Sequence, residues 1–547
     1  MCGIFGVVSS SKVVGDFLKM SEITNQYRGP DATNYYKDCR RGYYINFGHT
    51  RLTITGDDEH GRQPLVNDKI IVVYNGEIFS FENIHVNGVS DTELLATFLE
   101  DGISDLKLNS LNGFFAFAIY YPESGTLYLV RDRFGEKPLY YKIFDNALYF
   151  SSTARPFKTL GVGVVSPIIE VPGGGISFDE NLPVEGVLQV PPGHMVKFEN
   201  GTAEVRKWYS PKSQINYTAK NYLKAVDEFN RLLFDAVRIR IKDQDTVAVS
   251  LSGGLDSTLV VDTVKKIGNV NIEAFTLSTS DARFNELEIV KHHATKIGVN
   301  LNVVPEPPHD LAQFNQCLDV LEFPSFNFSF VGYDSYYKAV REKGIRVIIE
   351  GHGPDEYLGG YAPMLLGYMA GRVIKGDLAS LNKAMGNFQK TFGLGALRTL
   401  LGVFIATVRS VNEGALPSGR RINHKFFDSL SIPIVLRTFD RISMLNHVET
   451  RSPFMDYRLV EFGRSLPDHI LFNQGRTKSI LRSILESRGF KDSDFGPKIG
   501  FTATYDTVLS DLCIQHGIKN VGQSSVRRLA HKSSFDIAHA MSQTIFS

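Results

Sequence analysis

The chain has 547 residues, of which 43% are hydrophobic and 22% charged, so it is long enough for about two to four domains with ordinary hydrophobic cores. Lys+Arg and Asp+Glu each number 59; this balance favours neither nucleic acid nor a membrane as partner, and we expect neither. The four cysteines form no CxxC pair, which excludes a disulfide scaffold and a zinc knuckle. No secretion signal is recognised, and no run approaches the roughly 18 apolar residues of a membrane helix, so we expect a cytoplasmic protein.

Residues 1–209 are predicted to be rich in β-strands, because short β-branched and aromatic runs alternate there with turn-forming residues. The runs that predict strands are Tyr43–Phe47, Ile70–Tyr74, Phe114–Tyr121 and Thr126–Val130. Turns are expected at Asn75-Gly76, Glu123-Ser124-Gly125 and Asp145-Asn146. Helical spacing is local and covers Asp91 to Leu99. We therefore expect a β-rich first domain.

After a polar stretch, interpreted as a linker over residues 210–220, strands and helices alternate. The predicted helices are Tyr222–Arg240, Thr258–Ile267 and Asn285–Ile297, and the predicted strands are Thr246–Ser250, Ile272–Leu277 and Leu301–Val304. This alternation is typical of a parallel α/β sheet. From about Met364 the pattern is mostly helical. We therefore expect an α/β domain over residues 221–547 with a helical C-terminal part.

Cys2 lies directly after the initiator methionine. Once Met1 is removed, the thiol shares a residue with a free α-amine, whose pKa is about 8. That amine can act as general base for the thiol, which is how N-terminal nucleophiles are activated. The small Gly3 leaves room for a substrate. The alternative is a buried cysteine with a purely structural role at the start of a strand.

Several motifs follow Cys2 in order and together resemble those of class II glutamine amidotransferases. They are Tyr27-Arg28-Gly29-Pro30-Asp31, His49-Thr50-Arg51-Leu52, Asn75-Gly76-Glu77-Ile78 and Ser90-Asp91-Thr92-Glu93. The run Arg131–Tyr141, RDRFGEKPLYY, resembles the asparagine synthetase B family, and the resemblance extends over nearly the whole chain. It implies an N-terminal αββα glutaminase sandwich and a C-terminal, Rossmann-like parallel α/β domain of the ATP-pyrophosphatase type.

The resemblance assigns glutamine hydrolysis to a few residues around the cysteine. The tetrahedral oxyanion needs preorganised donors, which the family places on the Asn75 side chain and the Gly76 amide. The positions that correspond to the family's glutamine-binding residues are Arg51, Leu52, Thr53, Ile54, Thr55, Glu77 and Asp91. Arg51 would bind the substrate carboxylate as a bidentate donor, and Asp91, helped by Glu77, would bind its ammonium group.

The run Val247–Ser257, VAVSLSGGLDS, predicts a strand, a glycine-rich turn and the start of a helix. Such a turn points backbone N–H groups and a helix N-terminus at an anion. The Gly-Lys-Ser/Thr ending of a Walker A loop is absent. The run instead resembles the pyrophosphate loop of ATP pyrophosphatases, which cleave ATP to AMP and pyrophosphate. By this resemblance the binding residues are Leu251, Ser252, Gly253, Gly254, Asp256 and Ser257.

Later matches complete an ATP site by resemblance. Leu277 corresponds to an adenine contact at the end of a strand, and Lys478 to a lysine that neutralises the leaving pyrophosphate. The run Glu350–Tyr361, EGHGPDEYLGGY, resembles the family's second signature. In that pattern Asp256 and Asp355 hold Mg²⁺, since carboxylate oxygens suit a hard cation. The nucleotide-binding residues of these matches are Leu277, Glu350, Gly351 and Lys478.

Two departures from the asparagine-forming pattern concern the carboxylate acceptor. Asparagine synthetases read Ser-Gly-Glu-Gly-Ser/Ala-Asp-Glu where this chain has EGHGPDE, so Glu350 replaces a serine, His352 an acidic residue and Pro354 a small residue. The segment Phe323–Phe330, FPSFNFSF, replaces one with Thr and Arg that binds aspartate. Its aromatic residues suit a sugar ring or another bulky acceptor. Alternatively, these phenylalanines belong to the core and a different residue binds aspartate.

We therefore expect a glutamine-dependent, ATP-consuming amidotransferase that acts on small molecules (glutamine, ATP and a carboxylate) with ATP and Mg²⁺ as cofactors. Asparagine formed from aspartate is the default product. One alternative is amidation of another carboxylate, such as a uronic-acid sugar. A second is a degenerate paralogue that retains only glutaminase activity or nucleotide binding. Members of the resembled family often form dimers, so a homodimer is also considered.

Overall fold

The computed structural model describes residues 1–11, 15–54, 61–81, 84–85, 90–163, 168–171, 175–178, 184–211, 221–279, 285–307, 310–323, 329–412 and 416–496. The strands up to residue 211 are β1 (Gly3–Ser9), β2 (Ala32–Arg40), β3 (Tyr43–Arg51), β4 (Leu65–Val66), β5 (Ile71–Phe81), β6 (Ile84–His85), β7 (Leu111–Tyr121), β8 (Thr126–Arg131), β9 (Tyr140–Phe144), β10 (Ala147–Ser151), β11 (Ile168–Val171), β12 (Gly175–Phe178), β13 (Leu188–Gln189), β14 (His194–Glu199) and β15 (Thr202–Lys207). The helices of this part are α1 (Asp16–Asn25), α2 (Asp91–Leu99), α3 (Asp105–Ser110) and a 3₁₀ helix at Arg155–Leu160.

Most of these strands form two large antiparallel sheets that pack face to face, and β11 and β12 form a separate two-stranded sheet. The strand orders of the two large sheets are β13-β9-β10-β1-β3-β2 and β15-β14-β8-β7-β5-β4. Side chains alternate along a strand, so Val73 of β5 lies in the core between the sheets, whereas Tyr74 packs toward α2. On the outside of the other sheet, Phe17 of α1 stacks edge-on against Tyr149 of β10. This part is therefore an αββα sandwich, which confirms the predicted fold.

The second part of the chain contains five more strands and most of the helices. The strands are β16 (Thr246–Ser250), β17 (Asn271–Ser278), β18 (Asn300–Pro305), β19 (Val347–Ile349) and β20 (Glu449–Arg451). The helices are α4 (Tyr222–Ile241), α5 (Leu255–Ile267), α6 (Leu287–Ile297), α7 (Leu311–Leu321), α8 (Phe330–Glu342), α9 (Pro354–Tyr357), α10 (Ala362–Ile374), α11 (Leu378–Phe392), α12 (Ala396–Asn412), α13 (Gly419–Lys425), α14 (Ile432–Leu445), α15 (Tyr457–Ser465), α16 (Asp468–Leu471) and α17 (Ser479–Ser487). A π-helical turn covers Phe426–Leu430, and 3₁₀ turns cover Pro453–Met455, Asn473–Gly475 and Asp492–Asp494.

The five strands form one parallel sheet in the order β18-β17-β16-β19-β20. Helices cover both faces, and the buried parts of the central strands β16 and β19 are apolar. Val247 and Val249 of β16 pack with Leu259 of α5, whereas Ala248 packs with Phe330 of α8 on the other face. The parallel α/β prediction is confirmed. In such sheets, ligands bind beyond the carboxyl ends of the strands, which is where the loops after β16 and β19 lie.

One local prediction is wrong. Asn75 and Gly76 do not form a turn; they lie within β5, opposite Ala116 and Phe115 of β7. The long pairing of β5 with β7 overrides the local turn preference of Asn-Gly, because ladder hydrogen bonds continue on both sides of the pair. The turn at Asp145-Asn146 is confirmed, between β9 and β10, with both residues at positive φ. Helix α5 begins at Leu255, a few residues before the predicted start.

Parts of several predicted features lie outside the described residues. These are Thr55, residues 212–220 of the linker, residues 324–328 of the aromatic segment and residues 497–547 at the C-terminus. Within the described chain, Cys2, Cys39 and Cys317 are free thiols.

The stretch from residue 364 to 423 is helical in its described parts and comprises most of α10 together with α11, α12 and α13. Helix α10 lies against α12, where a Cβ at Gly402 would come within 3.1 Å of Leu366. Among the described residues, no single helix has the length and apolar character to cross a membrane. Leu378–Phe392 and Ala396–Ser410 meet these criteria only as a pair bent by 115°.

A buried ion-pair network joins the two parts of the molecule. Asp440 of α14 lies 2.9 Å from Arg28 Nη1 through Oδ2 and 3.0 Å from Lys137 Nζ through Oδ1, and all three side chains are at most 4% exposed. Burial alone would raise the pKa of Asp440, but Arg28 and Lys137 lower it to about 2. The stabilisation from Asp440 is therefore present above about pH 4, its unfolded pKa, and is lost as the pH falls toward 2.

Replacing Asp440 with asparagine is expected to lower the free energy of unfolding by about 3 kcal/mol, because two cations would stay buried without a counter-charge. Chemical unfolding at pH 7 measures this change. Asp38→Asn is the matched control, since the Asp38–Arg40 pair is about one-third exposed and such pairs contribute about 1 kcal/mol or less. Equal losses in the two variants would contradict the role given to the network.

Candidate active sites

Cys2 lies at the start of β1, with its backbone held by residues from other elements. Its N–H donates to Asn75 Oδ1 at 2.9 Å, and its carbonyl accepts from Arg28 Nε at 3.2 Å. Burial raises the pKa of the thiol, against the opposing effects of the N-terminal amine and Arg51. The Met1 amine lies 3.5 Å from Glu449 Oε2. Because burial disfavours the thiolate, activation of this thiol needs a base.

Asn75 and Gly76 of β5 lie beside Cys2. Asn75 is fully buried, and because its Oδ1 accepts from Cys2, its Nδ2 is left as a donor. Within the described part of the chain, that Nδ2 has no hydrogen-bond partner. At Gly76, a Cβ would lie 2.1 Å from the Phe114 carbonyl oxygen, so only glycine fits here. The pair can therefore present a side-chain donor to a developing oxyanion next to the thiol.

Two carboxyl groups, Glu77 and Asp91, lie near the same segment of β5. Tyr74 Oη donates to Asp91 Oδ2 at 2.7 Å, and the Ile78 N–H donates to the same oxygen at 3.2 Å. Burial raises the pKa of both carboxyl groups. Arg451 Nη2 lies 3.6 Å from Glu77 Oε2 and opposes this shift. A bound ammonium group would favour the ionised form of both acids, since opposite charges stabilise each other.

The predicted residues for the glutamine carboxylate lie at the end of β3. Arg51 is 6% exposed. A Cβ at Gly61 would fall 2.3 Å from Arg51 Nη2, so glycine leaves space for the guanidinium group. The Thr53 N–H donates to Asp31 Oδ2 at 2.8 Å, which holds the segment after Arg51 in place. The other predicted members are Leu52, which is buried, Ile54, which is partly buried, and Thr55, which lies outside the described residues.

Two buried residues of β20 join this site, and no sequence motif indicated them. Arg451 Nε donates to Glu449 Oε1 at 2.7 Å, and both side chains are 1% exposed. The Arg451 guanidinium also approaches Glu77. The backbone carbonyl of Arg451 accepts a hydrogen bond from the Glu350 N–H at 3.0 Å. Because Glu350 opens the second signature, β20 lies between the glutamine site and the second site.

The second site begins at the loop Leu251–Gly254, between β16 and α5. The Ser252 N–H donates to Ser257 Oγ at 3.1 Å, and the two hydroxyl oxygens are 3.0 Å apart. Gly253 has a φ of +81°, a conformation that favours glycine. The turn is thus held at the N-terminus of a 13-residue helix. Backbone N–H groups and hydroxyls at such a position form an anion site.

Lys478 lies where the two signatures meet. Its Nζ is 2.5 Å from Asp256 Oδ2 and 2.6 Å from Asp355 Oδ1. Burial alone would lower the pKa of Lys478, but the two carboxylates raise it. A Cβ at Gly360 would lie 1.7 Å from Asp355 Oδ1, so glycine leaves the space that this carboxylate occupies. The structure therefore brings three of the predicted residues to one point.

The remaining predicted nucleotide residues lie on neighbouring strand ends. A Cβ at Gly351 would come within 3.0 Å of the Ser257 backbone nitrogen, so glycine lets the second signature approach the first. Leu277 is half-buried near the carboxyl end of β17. Among the described residues, no group of three or more His, Cys, Asp or Glu side chains could hold a metal ion. Asp256 and Asp355 converge as two oxygen donors, which fits a divalent cation only if a substrate supplies further ligands.

The departures from the asparagine-forming pattern cluster around Glu350. This residue is 1% exposed. Its Oε1 and Oε2 atoms accept from Tyr337 Oη at 3.0 and 3.1 Å. His352 Nε2 lies 3.0 Å from Glu350 Oε2. The His352 ring also packs on Phe439 of α14, with ring centroids 3.8 Å apart. The imidazole is therefore held between a buried carboxyl group and an aromatic ring.

Comparisons with known proteins agree with this two-site arrangement. The asparagine synthase family model matches residues 228–520, and a glutamine amidotransferase domain model matches residues 1–209. Glutamine-hydrolyzing asparagine synthetase 1 of Bacillus subtilis is 24% identical over 98% of this chain and 91% of its own length. Amidase chyE of Penicillium rubens is 26% identical over 81% of this chain and 77% of its own length.

A solved structure described as the allosteric regulatory enzyme of purine biosynthesis shares 14% identity, with coverage of 64% of this chain and 74% of that one. Its TM-score of 0.29 is too low to support an argument about fold. The family assignment therefore depends on the sequence models. Since the asparagine synthase model covers more than half of the chain, this protein belongs to the asparagine synthase family and is a glutamine-dependent, ATP-dependent ligase.

Proposed function

We propose that this protein transfers ammonia from glutamine to an adenylated carboxylate, with glutamate, AMP, pyrophosphate and an amide as products. The observation that carries the proposal is the position of Arg451. Its guanidinium group approaches Glu77 at the glutamine site, and its carbonyl accepts from Glu350 at the second site. Arg451 therefore links the two sites, and ammonia released near Cys2 would pass from the first site to the acceptor at the second.

At the first site, we propose that the Cys2 amine, freed by loss of Met1, takes the thiol proton. The thiolate attacks the amide carbon of glutamine, and the oxyanion accepts hydrogen bonds from Asn75 Nδ2 and the Gly76 N–H. Collapse of this intermediate expels ammonia, which carries away the proton, and leaves a thioester on Cys2. Water then releases glutamate. Arg51 and Asp91 would orient the substrate through its carboxylate and ammonium groups.

Asn75→Asp is expected to lower kcat for glutamine hydrolysis by about 10²–10³-fold, because an acceptor replaces the Nδ2 donor that faces the oxyanion. The Oδ1 contact with Cys2 is retained in this variant, so positioning of the nucleophile is preserved. Asn75→Ala removes both contacts and should lower kcat for glutamine hydrolysis by at least the same factor. Glutamate release measures the effect. Hydrolysis within about threefold of the unmodified protein in Asn75→Asp would exclude this donor role.

At the second site, we propose that an oxygen of the acceptor carboxylate attacks the α-phosphorus of ATP and expels pyrophosphate. Lys478, the hydroxyls of Ser252 and Ser257, and the loop N–H groups would stabilise the negative charge on the leaving group. Asp256 and Asp355 would hold Mg²⁺, which neutralises charge on the phosphates when bound. Ammonia then attacks the acyl carbon, AMP leaves and the amide forms.

The acceptor is the finer part of the proposal. Aspartate, which would yield asparagine, remains the default. Glu350 and His352 favour a second candidate, because they present an imidazole–carboxyl pair where asparagine synthetases have a serine and an acid. The match to a protein named as an amidase supports acceptors other than aspartate. A uronic-acid sugar is such a carboxylate, and its ring would suit the aromatic surroundings of His352.

The double variant Glu350→Ser/His352→Glu is expected to use aspartate at least about tenfold better than His352→Glu alone. His352 Nε2 lies 3.0 Å from Glu350 Oε2, so in the single variant the new carboxyl group would lie beside Glu350. Like charges at this distance repel each other. The double variant restores the asparagine-forming residues at both positions. Aspartate-dependent pyrophosphate release measures the change. Equal rates in both variants would show that this pair does not select the acceptor.

A screen of carboxylate acceptors with pyrophosphate release as readout tests the proposal as a whole. Aspartate, glutamate and uronic-acid sugars form the first panel, each with Mg·ATP and ammonium. We expect one class of acceptor to stimulate pyrophosphate release at least about tenfold above background. Glutamine hydrolysis without stimulation by any acceptor would favour the degenerate paralogue, in which only the first site is active.

A further inference from the structure

The outer face of α12 carries an exposed apolar stripe. Its members are Leu397, Leu400, Leu401, Phe404, Ile405 and Val408, each at least 41% exposed. At about 100° per residue, these positions fall within an arc of about 140° on one side of the helix. On the opposite side, Val403 is 5% exposed and Gly402 lies against Leu366 of α10. Helix α12 is thus packed on the domain by one face and presents a second apolar face to solvent.

The sequence segment that contains α12 is rich in basic residues, although the whole chain carries no net charge. From residue 372 to 412 the basic residues are Arg372, Lys375, Lys383, Lys390, Arg398 and Arg409, and the acidic residue is Asp377. Six positive charges and one negative charge give this segment a net charge of about +5. Arg398 and Arg409 lie about 20° apart around α12, beside Ile405 at one edge of the stripe.

We propose that α12 binds the surface of a bilayer that contains anionic lipids. The apolar stripe would lie at the boundary between headgroups and acyl chains, with Arg398 at the level of the lipid phosphates. Helices with a large apolar face, basic residues beside it and few acidic residues bind membrane interfaces in this way. The balanced charge of the whole chain conceals this segment, which is why composition favoured no membrane partner.

A second copy of the chain fits this face less well. Two such helices packed face to face would bring their cationic edges together, and like charges across an interface are unfavourable. The acidic residue of the segment, Asp377, lies 3.4 Å from Arg372. An anionic bilayer offers an apolar layer to the stripe and negative charge to the basic residues of the segment.

Vesicle flotation of the full chain tests the proposal, with vesicles of phosphatidylcholine alone or mixed with about 30% phosphatidylglycerol. We expect the protein to float with the anionic vesicles and to remain unbound with the neutral ones. Leu401→Gln/Phe404→Gln, at positions 58% and 65% exposed, should lower the partition coefficient about tenfold or more. Raising the salt concentration to about 0.5 M should weaken binding, since salt screens the charge contribution.

The matched control is Leu106→Gln/Leu223→Gln, which removes two leucines that are 81% and 72% exposed on α3 and α4. This variant should bind vesicles like the unmodified chain, and glutamine hydrolysis shows that each variant is folded. Absence of flotation with anionic vesicles would overturn the proposal. It would also be overturned if the stripe variant, Leu401→Gln/Phe404→Gln, bound these vesicles as well as the unmodified chain. A dimer that forms without lipid and dissociates in the stripe variant would assign the face to a second copy and overturn it as well.

Discussion

Cys2→Ala is expected to lower glutamine-dependent amide formation by at least about 10³-fold, while ammonia-dependent formation stays within about twofold. The reason for the loss is that no other described thiol could replace Cys2, whose backbone N–H is fixed by Asn75 at 2.9 Å. Removal of a covalent nucleophile eliminates the thioester route rather than slowing it. Ammonia-dependent amide formation is retained because Lys478, Asp256 and Asp355 belong to a site separate from the cysteine.

The matched control is Cys39→Ala, because Cys39 is an exposed free thiol on β2. It should retain both activities. The assay measures AMP formation with saturating acceptor, once with glutamine and once with ammonium as nitrogen source. Equal loss of the two activities in Cys2→Ala would mean that the substitution disrupts the whole molecule and would contradict the division into two sites.

Lys478→Met is expected to lower acceptor-dependent pyrophosphate release by at least about 10²-fold with glutamine hydrolysis retained. The lysine Nζ lies 2.5 Å from Asp256 Oδ2 and 2.6 Å from Asp355 Oδ1. Methionine removes a positive charge from the site of the leaving pyrophosphate, and loss of one preorganised contact to developing charge commonly lowers kcat by about 10²–10³-fold. Methionine keeps much of the length and apolar surface of the lysine, so the packing of the buried stem is preserved.

Lys265→Met is the control for this substitution. Lys265 belongs to the last turn of α5, the same helix that carries Asp256 at its first turn, and its Nζ donates to the Gly298 carbonyl at the surface. We expect this variant to release pyrophosphate at the unmodified rate. Pyrophosphate release in Lys478→Met within about threefold of that rate would contradict a role for the lysine at the leaving group.

The parts of the fold that depend on local patterns could be predicted from the sequence. The strand at Thr246–Ser250 matches β16 to the residue, because an apolar run between two helices has few other conformations. The turn at Asp145-Asn146 was likewise predictable from residues that tolerate positive φ. Asn75-Gly76 shows the limit of such patterns. A turn preference is a property of two residues, whereas pairing with β7 involves the whole strand.

The candidate sites could be predicted where a motif holds the residues together. Asp256 and Ser257 are part of one continuous run, and the structure places both in the first turn of α5. Arg451 and Asp440 could not be predicted in this way. The Asp440 contacts span 412 positions to Arg28 and 303 positions to Lys137. Charged residues at such separations give no local signal, and only the folded chain shows that they are buried together.

The central claim is that nitrogen from glutamine reaches an adenylated carboxylate inside one chain. Glutamine labelled with ¹⁵N in its amide group, incubated with Mg·ATP and the acceptor found by the screen, tests this claim most directly by mass spectrometry of the product. The arrangement of Cys2, Arg451 and Glu350 predicts ¹⁵N in the product amide, with one AMP formed for each amide, even in the presence of unlabelled ammonium. Labelled ammonia released to solution with no ¹⁵N in the product, or glutamine consumed without AMP formation, would contradict it.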